Sequence, residues 1–212
     1  MTGFVSVESA AVALAEGRMV IIADDEGREN EGDLVIGAEY ADAAAINFMA
    51  MYGRGLVCCA LAPEIIERLG LKPMVPQEEN RSGFGTAFTV SVEASEGVTT
   101  GISAQDRART VEVLINPESD PSELVTPGHM FPLRAVPGGV RERGGQTEAS
   151  VDLAKLAGLR PGAVICEIMN DDGTMARRPE LEAFSAKHDI PITTTEALRQ
   201  YLVEQQATLA AE

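Results

Sequence analysis

The sequence has few aromatic residues and few positive charges. Its 212 residues include no Trp, three Tyr and six Phe, so the core must be built mainly from Val, Ile, Leu, Ala and Met. Lys and Arg number 17 against 33 Asp and Glu, which gives a net charge of −16. Nucleic acids and anionic membrane surfaces would repel such a chain, so we expect neither as a partner.

Histidine and cysteine are also scarce. With only His129 and His188, a three-histidine zinc site within one chain is excluded. A catalytic metal must then rest mainly on oxygen ligands, which favours magnesium or manganese. The cysteines Cys58, Cys59 and Cys166 form no CxxC pair, and their odd count makes a poor disulfide framework. This usage predicts a reducing, cytoplasmic environment.

Long apolar runs are absent. No apolar stretch approaches the roughly 20 residues needed to span a bilayer. Residues 1–17 lack the basic start and long apolar run of a secretory signal. The sequence therefore predicts a protein that is neither secreted nor embedded in a membrane.

Helix-like and strand-like segments alternate along the chain. Apolar residues recur with a helical period or in short runs, and turn-forming residues separate them. Ser103 with Asp106, and Thr193 with Glu196, are spaced as capping boxes. Predicted helices occupy 6–16, 42–51, 63–70, 103–115, 147–157, 179–187 and 193–207, and predicted strands 19–23, 34–38, 56–61, 86–93, 131–136, 163–169 and 190–192.

No internal repeat and no long linker divides this pattern. Several helices packed against one sheet is the economical architecture. We therefore predict an α/β fold of the α+β type, in which residues 1–212 form a single domain with a mixed sheet and helices packed around it. The order of the strands does not follow from the sequence.

An acidic segment lies between two predicted strands. Residues 24–33 carry six carboxylates and one basic residue, Arg28. Crowded like charges raise each other's pKa or recruit a cation, and carboxylate oxygens suit magnesium. The alternative is a solvated acidic turn, but two glycines and Arg28 favour a metal role. The spacing does not match the calcium loop of an EF-hand.

A basic, glycine-containing segment precedes the predicted helix at 147–157. Arg143, Gly144 and Gly145 stand just before its start, and free helix amides with the Thr147 hydroxyl could face an anion. The guanidinium of Arg143 suits phosphate oxygens. The alternative is an ordinary connection with Thr147 as the helix cap. Nearby basic residues are Arg134 and Arg141.

Two titratable residues stand in unusual contexts. His129 follows Pro127 and Gly128 in what we predict to be a rigid turn, where it could act as a general acid or base, or simply bond a carbonyl. Glu167 interrupts an apolar strand, so it lies either in a site or on an alternating solvent face.

His188 is predicted to be a surface residue. The hydroxyl-rich loop 97–103 could bind sugar hydroxyls or form a capped turn.

Taken together, these segments resemble the 3,4-dihydroxy-2-butanone 4-phosphate synthase family of riboflavin biosynthesis. The matching stretches run in family order over nearly the whole chain. They are DDEGRENEGDL at 24–34, GRGLVC at 53–58, FGTAFTVSVEASEGVTTGISAQDRARTV at 84–111, PGHMFPLRAVPGGVRERGGQTEASVDLAKLAGL at 127–159 and ICEIMNDDGTMAR at 165–177.

The resemblance implies an α/β homodimer with active sites at the subunit interface. It also implies ribulose 5-phosphate as substrate, magnesium or manganese as cofactor, and formate and 3,4-dihydroxy-2-butanone 4-phosphate as products. By the same resemblance, Glu29 and position 146 bind metal, and His129 and Glu167 are the acid–base pair that Asp33 assists. The implied substrate-binding residues are Arg28, Glu29, Asp33, Arg143, Gly144, Gly145, Gln146, Thr147 and Glu167, with Cys58, Thr99 and Thr100 lining the pocket.

Gln146 departs from the family pattern, which has a metal-binding His at this position. Its amide oxygen is a neutral donor of similar reach that a hard cation accepts. The expected activity is therefore the family reaction. The alternatives are an altered or partial sugar-phosphate conversion and a catalytically silent binding or dimer-partner protein.

Overall fold

The computed structural model describes residues 3–209, which form eight strands and seven α-helices. The strands are β1 (Gly3–Phe4), β2 (Val20–Ala23), β3 (Gly32–Gly37), β4 (Cys58–Leu61), β5 (Val92–Ala94), β6 (Leu124–Arg134), β7 (Gly162–Glu167) and β8 (Pro191–Thr194). The helices are α1 (Val7–Ala15), α2 (Ala43–Phe48), α3 (Pro63–Arg68), α4 (Ala104–Ile115), α5 (Gln146–Leu156), α6 (Arg178–His188) and α7 (Thr195–Leu209).

The strands form one mixed sheet in the order β1-β8-β2-β3-β7-β4-β6-β5. Strand β8 pairs in parallel with β1 and β2, and β4 pairs in parallel with β6, whereas the other neighbours are antiparallel. The predicted mixed α/β architecture is therefore confirmed. Strands β3 and β7, which are distant in sequence, lie side by side in the middle of the sheet.

Aliphatic side chains fill both faces of the sheet, as the shortage of aromatic residues requires. Successive residues of β2 alternate between the faces, because Ile21 joins one buried cluster and Ile22 the other. Leu114 of α4 packs on the Ile21 face, and Leu14 of α1 and Leu153 of α5 pack on the Ile22 face. Within residues 3–209, no helix has both the length and the apolar character needed to cross a membrane.

The strand predicted at 86–93 is wrong in extent. Only its end belongs to β5, because the upstream backbone bonds to two separate segments. The amide of Thr89 donates to the carbonyl of Pro132, and the amide of Val90 donates to the carbonyl of Lys72. This stretch therefore crosses between neighbours and does not follow one strand.

The strand predicted at 131–136 begins earlier, so the rigid turn predicted at Pro127–His129 is wrong. These residues lie inside β6, and the peptide bond before Pro127 is cis. The register between β5 and β6 shifts between Val92 and Glu93, and a bulge in β6 accommodates the additional residues.

Side-chain caps begin four helices, and the cap of α1 is Ser6, which accepts from the Ser9 amide. Asp42 accepts a hydrogen bond from the Ala45 amide at 2.8 Å. Ser103 accepts one from the Asp106 amide at 3.0 Å, as predicted. The cap predicted at Thr193 is wrong, because that residue pairs within β8. Its neighbour Thr194 caps α7 instead, by accepting from the Ala197 amide.

The predicted surface position of His188 needs correction. Its ring packs in an aromatic cluster with Phe48, Tyr52 and Phe184, at centroid distances of 5.2, 5.0 and 4.4 Å. Burial and the nearby charge of Lys187 lower its pKa. His188 therefore contributes to packing at the C-terminal end of α6.

Candidate active site

Most of the predicted site residues meet at one cavity beside the central strands. Antiparallel pairing of β3 and β7 places Asp33 directly opposite Glu167. The acidic segment 24–33 and the start of α5 complete the walls of a cavity of about 150 Å³. Predicted residues that line it are Arg28, Glu29, Asp33, Cys58, Arg143, Gln146, Thr147 and Glu167.

Arg28 joins the acidic segment to α5. Its Nη1 donates to Asp24 Oδ2 at 2.6 Å, to Glu29 Oε2 at 2.8 Å and to Gln146 Oε1 at 2.9 Å. Burial alone would lower the pKa of Arg28, but the hydrogen bond to Asp24 and the charge of Glu29 outweigh it, and the pKa is raised. The guanidinium thus neutralises part of the acidic segment from within.

Arg177, which the sequence reasoning did not single out, holds the backbone of the acidic segment. Its Nη1 donates to the Glu29 carbonyl at 2.7 Å and also contacts the Asn30 carbonyl. The same nitrogen lies 3.8 Å from Glu31 Oε1. Burial, and then the charge of Glu29, raises the pKa of Glu31. Two arginines from different parts of the chain therefore fix this segment.

Asp33 is the most enclosed carboxyl group of the cavity. The residue is 4% exposed, and its Oδ1 has no hydrogen-bond partner. Burial raises its pKa well above the usual 3.8, and the charges of Glu167, Glu29 and Glu31 raise it further. A carboxyl group in this state retains its proton to higher pH and can donate it within the cavity.

Glu167 is held at the end of β7 by the backbone of the segment before β4. Its Oε2 accepts a hydrogen bond from the Leu56 amide at 2.8 Å. A Cβ atom on Gly55 would lie 2.4 Å from the same oxygen, so glycine at 55 leaves space for this carboxylate. Burial, and then the charges of Glu167 and Asp33, raises the pKa of Cys58, which leaves a neutral thiol on the cavity wall.

The start of α5 and Arg143 form another wall. Gly145 is the N-cap and offers no side-chain oxygen to the first helix amides. The Glu148 carboxylate, however, bonds to its own backbone amide in the first turn. The Arg143 guanidinium bonds to Glu148, to the Phe84 carbonyl at 3.1 Å and to Thr86 Oγ1 at 3.3 Å. Burial raises the pKa of Glu148, and Arg143 opposes this effect.

The alternative reading of this segment, with Thr147 as the helix cap, is wrong, because Thr147 lies inside α5. Gly144 adjoins the N-cap, and a Cβ atom there would meet no other atom within 4 Å. The expected arginine cluster is also incomplete. Arg134 pairs with Glu67 and Arg141 with Gln206, so only Arg143 reaches the cavity.

His129 does not line this cavity. Its Nδ1 lies 2.7 Å from Glu93 Oε2, and the loop 97–103 packs beside the pair. In that loop, Thr99 bonds through its amide and hydroxyl to Asp106. Neither Thr99 nor Thr100 lines the cavity. The expected site residues therefore fall into two groups. One is the cavity group, and the other is a His129 group, in which His129 and Thr99 lie with three residues that were not expected, Glu93, Gly101 and Asp106.

The donor set of the cavity suits a hard cation. Within residues 3–209, no three His, Cys, Asp or Glu side chains are grouped so as to hold a metal ion by themselves. Gln146 Oε1 and Glu29 Oε2, however, approach the same positively charged nitrogen of Arg28. These two oxygens already face one positively charged group, and oxygens are the ligands that magnesium accepts. Magnesium keeps several of its waters when bound, so it needs few protein ligands.

Comparisons with known proteins identify the family. The sequence model of the 3,4-dihydroxy-2-butanone 4-phosphate synthase family matches residues 8–201. The chain belongs to this family. It is 55% identical over 205 residues to the riboflavin biosynthesis protein RibBA of Aquifex aeolicus, covering 96% of this chain and 50% of that protein. It is 50% identical over 205 residues to the 3,4-dihydroxy-2-butanone 4-phosphate synthase of Cronobacter sakazakii, covering 97% of this chain and 94% of that protein.

A solved synthase has the same fold. The crystal structure of a 3,4-dihydroxy-2-butanone 4-phosphate synthase in complex with two magnesium ions superposes with a TM-score of 0.90 at 40% identity, covering 96% of this chain and 99% of that one. The chain spans about half the length of several relatives in the family, including those of Aquifex aeolicus and Pseudomonas aeruginosa.

Several cavity residues escaped the sequence reasoning. Glu31 belongs to the acidic segment, but the sequence gives no sign that it faces inward. Thr86 and Phe88 lie in the stretch for which the sequence predicts a strand, and only the resemblance at 84–111 includes them. Leu133 and Ile165 look like ordinary core residues.

Proposed function

We propose that this protein converts D-ribulose 5-phosphate to 3,4-dihydroxy-2-butanone 4-phosphate and formate, in a reaction that depends on a divalent cation, as a lyase of riboflavin biosynthesis. The observation that carries the proposal is the convergence of Glu29, Asp33, Arg143, Gln146 and Glu167 on one cavity. These residues come from three separate parts of the chain, and a silent scaffold has no physical need to assemble them.

The phosphate group would bind where α5 begins. Arg143, which now bonds Glu148, Phe84 and Thr86, would turn donors of its guanidinium to the phosphate. The start of α5, where the N-cap makes no side-chain hydrogen bond, adds partial positive charge. Thr147 adds a hydroxyl group on the cavity wall. In a chain with a net charge of −16, these are the groups that favour an anion, so they would fix one end of the sugar phosphate.

The carboxyl groups of the cavity would move protons. Asp33 lies opposite Glu167. The raised pKa of Asp33 keeps a proton available beside the half-buried carboxylate of Glu167. Arg28 would bind substrate oxygens at the edge of the acidic segment. The two products together contain every atom of the pentulose phosphate, so the conversion requires no external oxidant or reductant.

Glu29 and Gln146 would hold the divalent cation, which we propose to be magnesium, with manganese as the other ion that suits the same donors. When bound, the cation would supply positive charge that stabilises negative charge developing on substrate oxygens. Arg28 Nη1, which now bonds both oxygens, would have to give up these two contacts.

We further propose a cytoplasmic homodimer in which the cavity of one subunit is completed by His129 of the partner subunit. The separation of the cavity group from the His129 group supports this arrangement. Ile102 and Val125, near the His129 group, and Leu56, next to Glu167, are apolar residues with 56%, 44% and 43% exposure, which an interface would cover. The free, buried cysteines agree with a reducing compartment.

The reaction is tested by incubating the purified protein with carbon-13-labelled ribulose 5-phosphate and magnesium. Carbon NMR should show formate and the four-carbon ketone phosphate in equal amounts. Exchange of substrate protons without formate would contradict the proposal and indicate a partial conversion. An unchanged substrate would indicate a silent homologue.

The shared site is tested by mixing two inactive variants, His129→Ala and Glu167→Ala, after unfolding and refolding them together. Mixed dimers would contain one complete site, and an equal mixture should recover roughly a quarter of wild-type activity. Each variant refolded alone is the control. No recovery in mixtures that form mixed dimers would contradict a site built from two subunits.

A further inference from the structure

The bulge that carries His129 is tied at three points to β5 and to Ser91, the residue just before that strand. Thr126 Oγ1 donates to the Ser91 carbonyl at 2.7 Å, and the Gly128 amide donates to Ser91 Oγ at 3.2 Å. The third point is the 2.7 Å contact between His129 Nδ1 and Glu93 Oε2. A bulged segment held this way aims the imidazole ring in one direction.

Two glycines make this close packing possible. A Cβ atom on Gly128 would lie 2.0 Å from the carbonyl carbon of Val92, so only glycine fits where β6 crosses β5. A Cβ atom on Gly101 would lie 1.7 Å from Glu93 Oε2 and 2.5 Å from His129 Nδ1. Gly101 also has a φ of +87°, a conformation that favours glycine.

Asp106 anchors the loop that covers the pair. Its Oδ2 accepts from the Gly101 amide at 2.9 Å and from Thr99 Oγ1 at 2.8 Å, and its Oδ1 accepts from the Thr99 amide at 3.1 Å. Asp106 is itself fixed in the first turn of α4 by Ser103. The backbone at Gly101 is therefore held against Glu93 from a rigid helix end.

We infer that Glu93 is a positioning residue that holds His129 in one tautomer and orientation, with the proton on Nδ1 and the lone pair of Nε2 facing outward. The Glu93 side chain is 20% exposed and that of His129 is 43% exposed, so the carboxylate lies behind a ring whose far edge is open. Among residues 3–209, no hydrogen-bond partner contacts Nε2. A carboxylate behind a functional imidazole fixes which nitrogen is free.

The effect on turnover rests on the proposed function, in which Nε2 of His129 exchanges a proton with the substrate. The neutral side chain of a histidine in water favours the proton on Nε2. That tautomer would leave no lone pair on the outward nitrogen. Glu93 reverses this preference.

The tautomer is tested by nitrogen-15 NMR of the imidazole rings at a pH where they are neutral. The chain has only two histidines, and the His129→Gln variant assigns the signals. Wild-type His129 should show a protonated Nδ1 and an unprotonated Nε2. Glu93→Ala should return the ring toward Nε2 protonation, whereas Glu96→Gln, which changes an exposed acid close by, should leave it unchanged. A wild-type ring protonated mainly on Nε2 would overturn the inference.

Activity gives a second, separate measurement. Glu93→Ala should lower kcat by roughly ten- to a hundredfold with a much smaller change in KM, because orientation and not substrate binding is lost. The kcat of Glu93→Gln, which keeps the shape of the side chain, should lie between those of the wild type and Glu93→Ala. An unchanged kcat in a Glu93→Ala variant whose His129 carries its proton on Nε2 would overturn the inference that Glu93 supports turnover. A wild type that shows the Nδ1 tautomer but forms no formate would contradict the proposed function and support the positioning role.

Discussion

Glu29 and Gln146 approach one nitrogen atom, Nη1 of Arg28, at 2.8 and 2.9 Å. The acidic segment and the start of α5 thus share a positive charge supplied by the protein itself. The same two oxygens are the donors that we assign to a divalent cation. A divalent cation that binds these two oxygens would therefore have to displace Arg28.

Magnesium should stabilise the protein through Glu29. A ligand that binds only the folded state raises the free energy of unfolding, by about 2.7 kcal/mol at a concentration of 100 times its Kd. Thermal unfolding in increasing magnesium should therefore show a rising Tm in the wild type and little change in Glu29→Gln. Glu26→Gln, which alters an exposed acid of the same segment, should respond as the wild type does. An equal response in all three would remove Glu29 from the metal site.

Replacing Gln146 by His should strengthen metal binding and increase formate release. The imidazole would restore the ligand type that the family resemblance implies for this position. We expect a Kd for magnesium lower by on the order of tenfold, measured by calorimetry. Gln146→Asn withdraws the oxygen by one methylene and should weaken binding. If Gln146→His gains neither affinity nor formate release, the amide is not what limits this site.

Asp33→Asn should make the metal-free protein more stable at neutral pH. Burial raises the pKa of Asp33, so between its usual pKa of 3.8 and the folded value the unfolded chain loses this proton first. Stability therefore falls as pH rises through that window, by about 1.4 kcal/mol for each unit of the raised pKa. Asparagine removes this loss.

Urea unfolding in EDTA measures the effect. The stability difference between Asp33→Asn and the wild type should be near zero below pH 3.8 and grow as the pH rises from there toward the raised pKa of Asp33. Asp25→Asn, an exposed neighbour in the same segment, should show no such trend. A difference that does not depend on pH would mean that the Asp33 proton is not retained.

Gly55→Ala should disturb Glu167. The added Cβ atom would lie 2.4 Å from Glu167 Oε2 and 2.6 Å from its carbonyl oxygen. Such crowding typically costs about 1–3 kcal/mol and would also displace the carboxylate, so both stability and activity should fall. Gly27→Ala is the matched control, because its Cβ atom would meet nothing within 4 Å. Equal effects at the two positions would show that crowding at Glu167 is not the cause.

The sequence predicted most of the elements but not the contacts that make the site. The acid at 167 was recognisable as unusual, whereas its position opposite Asp33 depends on the pairing of β3 with β7, which no local pattern encodes. Arg143 was correctly expected at the cavity, but Arg134 and Arg141 have the same chemistry and differ only in their tertiary partners, Glu67 and Gln206.

The largest error in predicting the fold near the site was at β5 and β6. Pro127 and Gly128 are turn-forming residues by local preference, and tertiary pairing overrides that preference here. Glu93 alternates as a surface residue of a strand would, so its contact with His129 could not be read from spacing. The bulge between these strands brings the two residues together.

The contacts of Arg28 also affect the metal affinity that a titration would measure. Only molecules whose guanidinium has moved away from Glu29 and Gln146 can accept an ion there. The measured affinity is therefore the intrinsic affinity multiplied by the fraction of such molecules. Shortening the residue to Lys, whose ammonium lacks the forked reach, would enlarge that fraction and tighten the observed binding, even as it removes a group that we expect to contact the sugar.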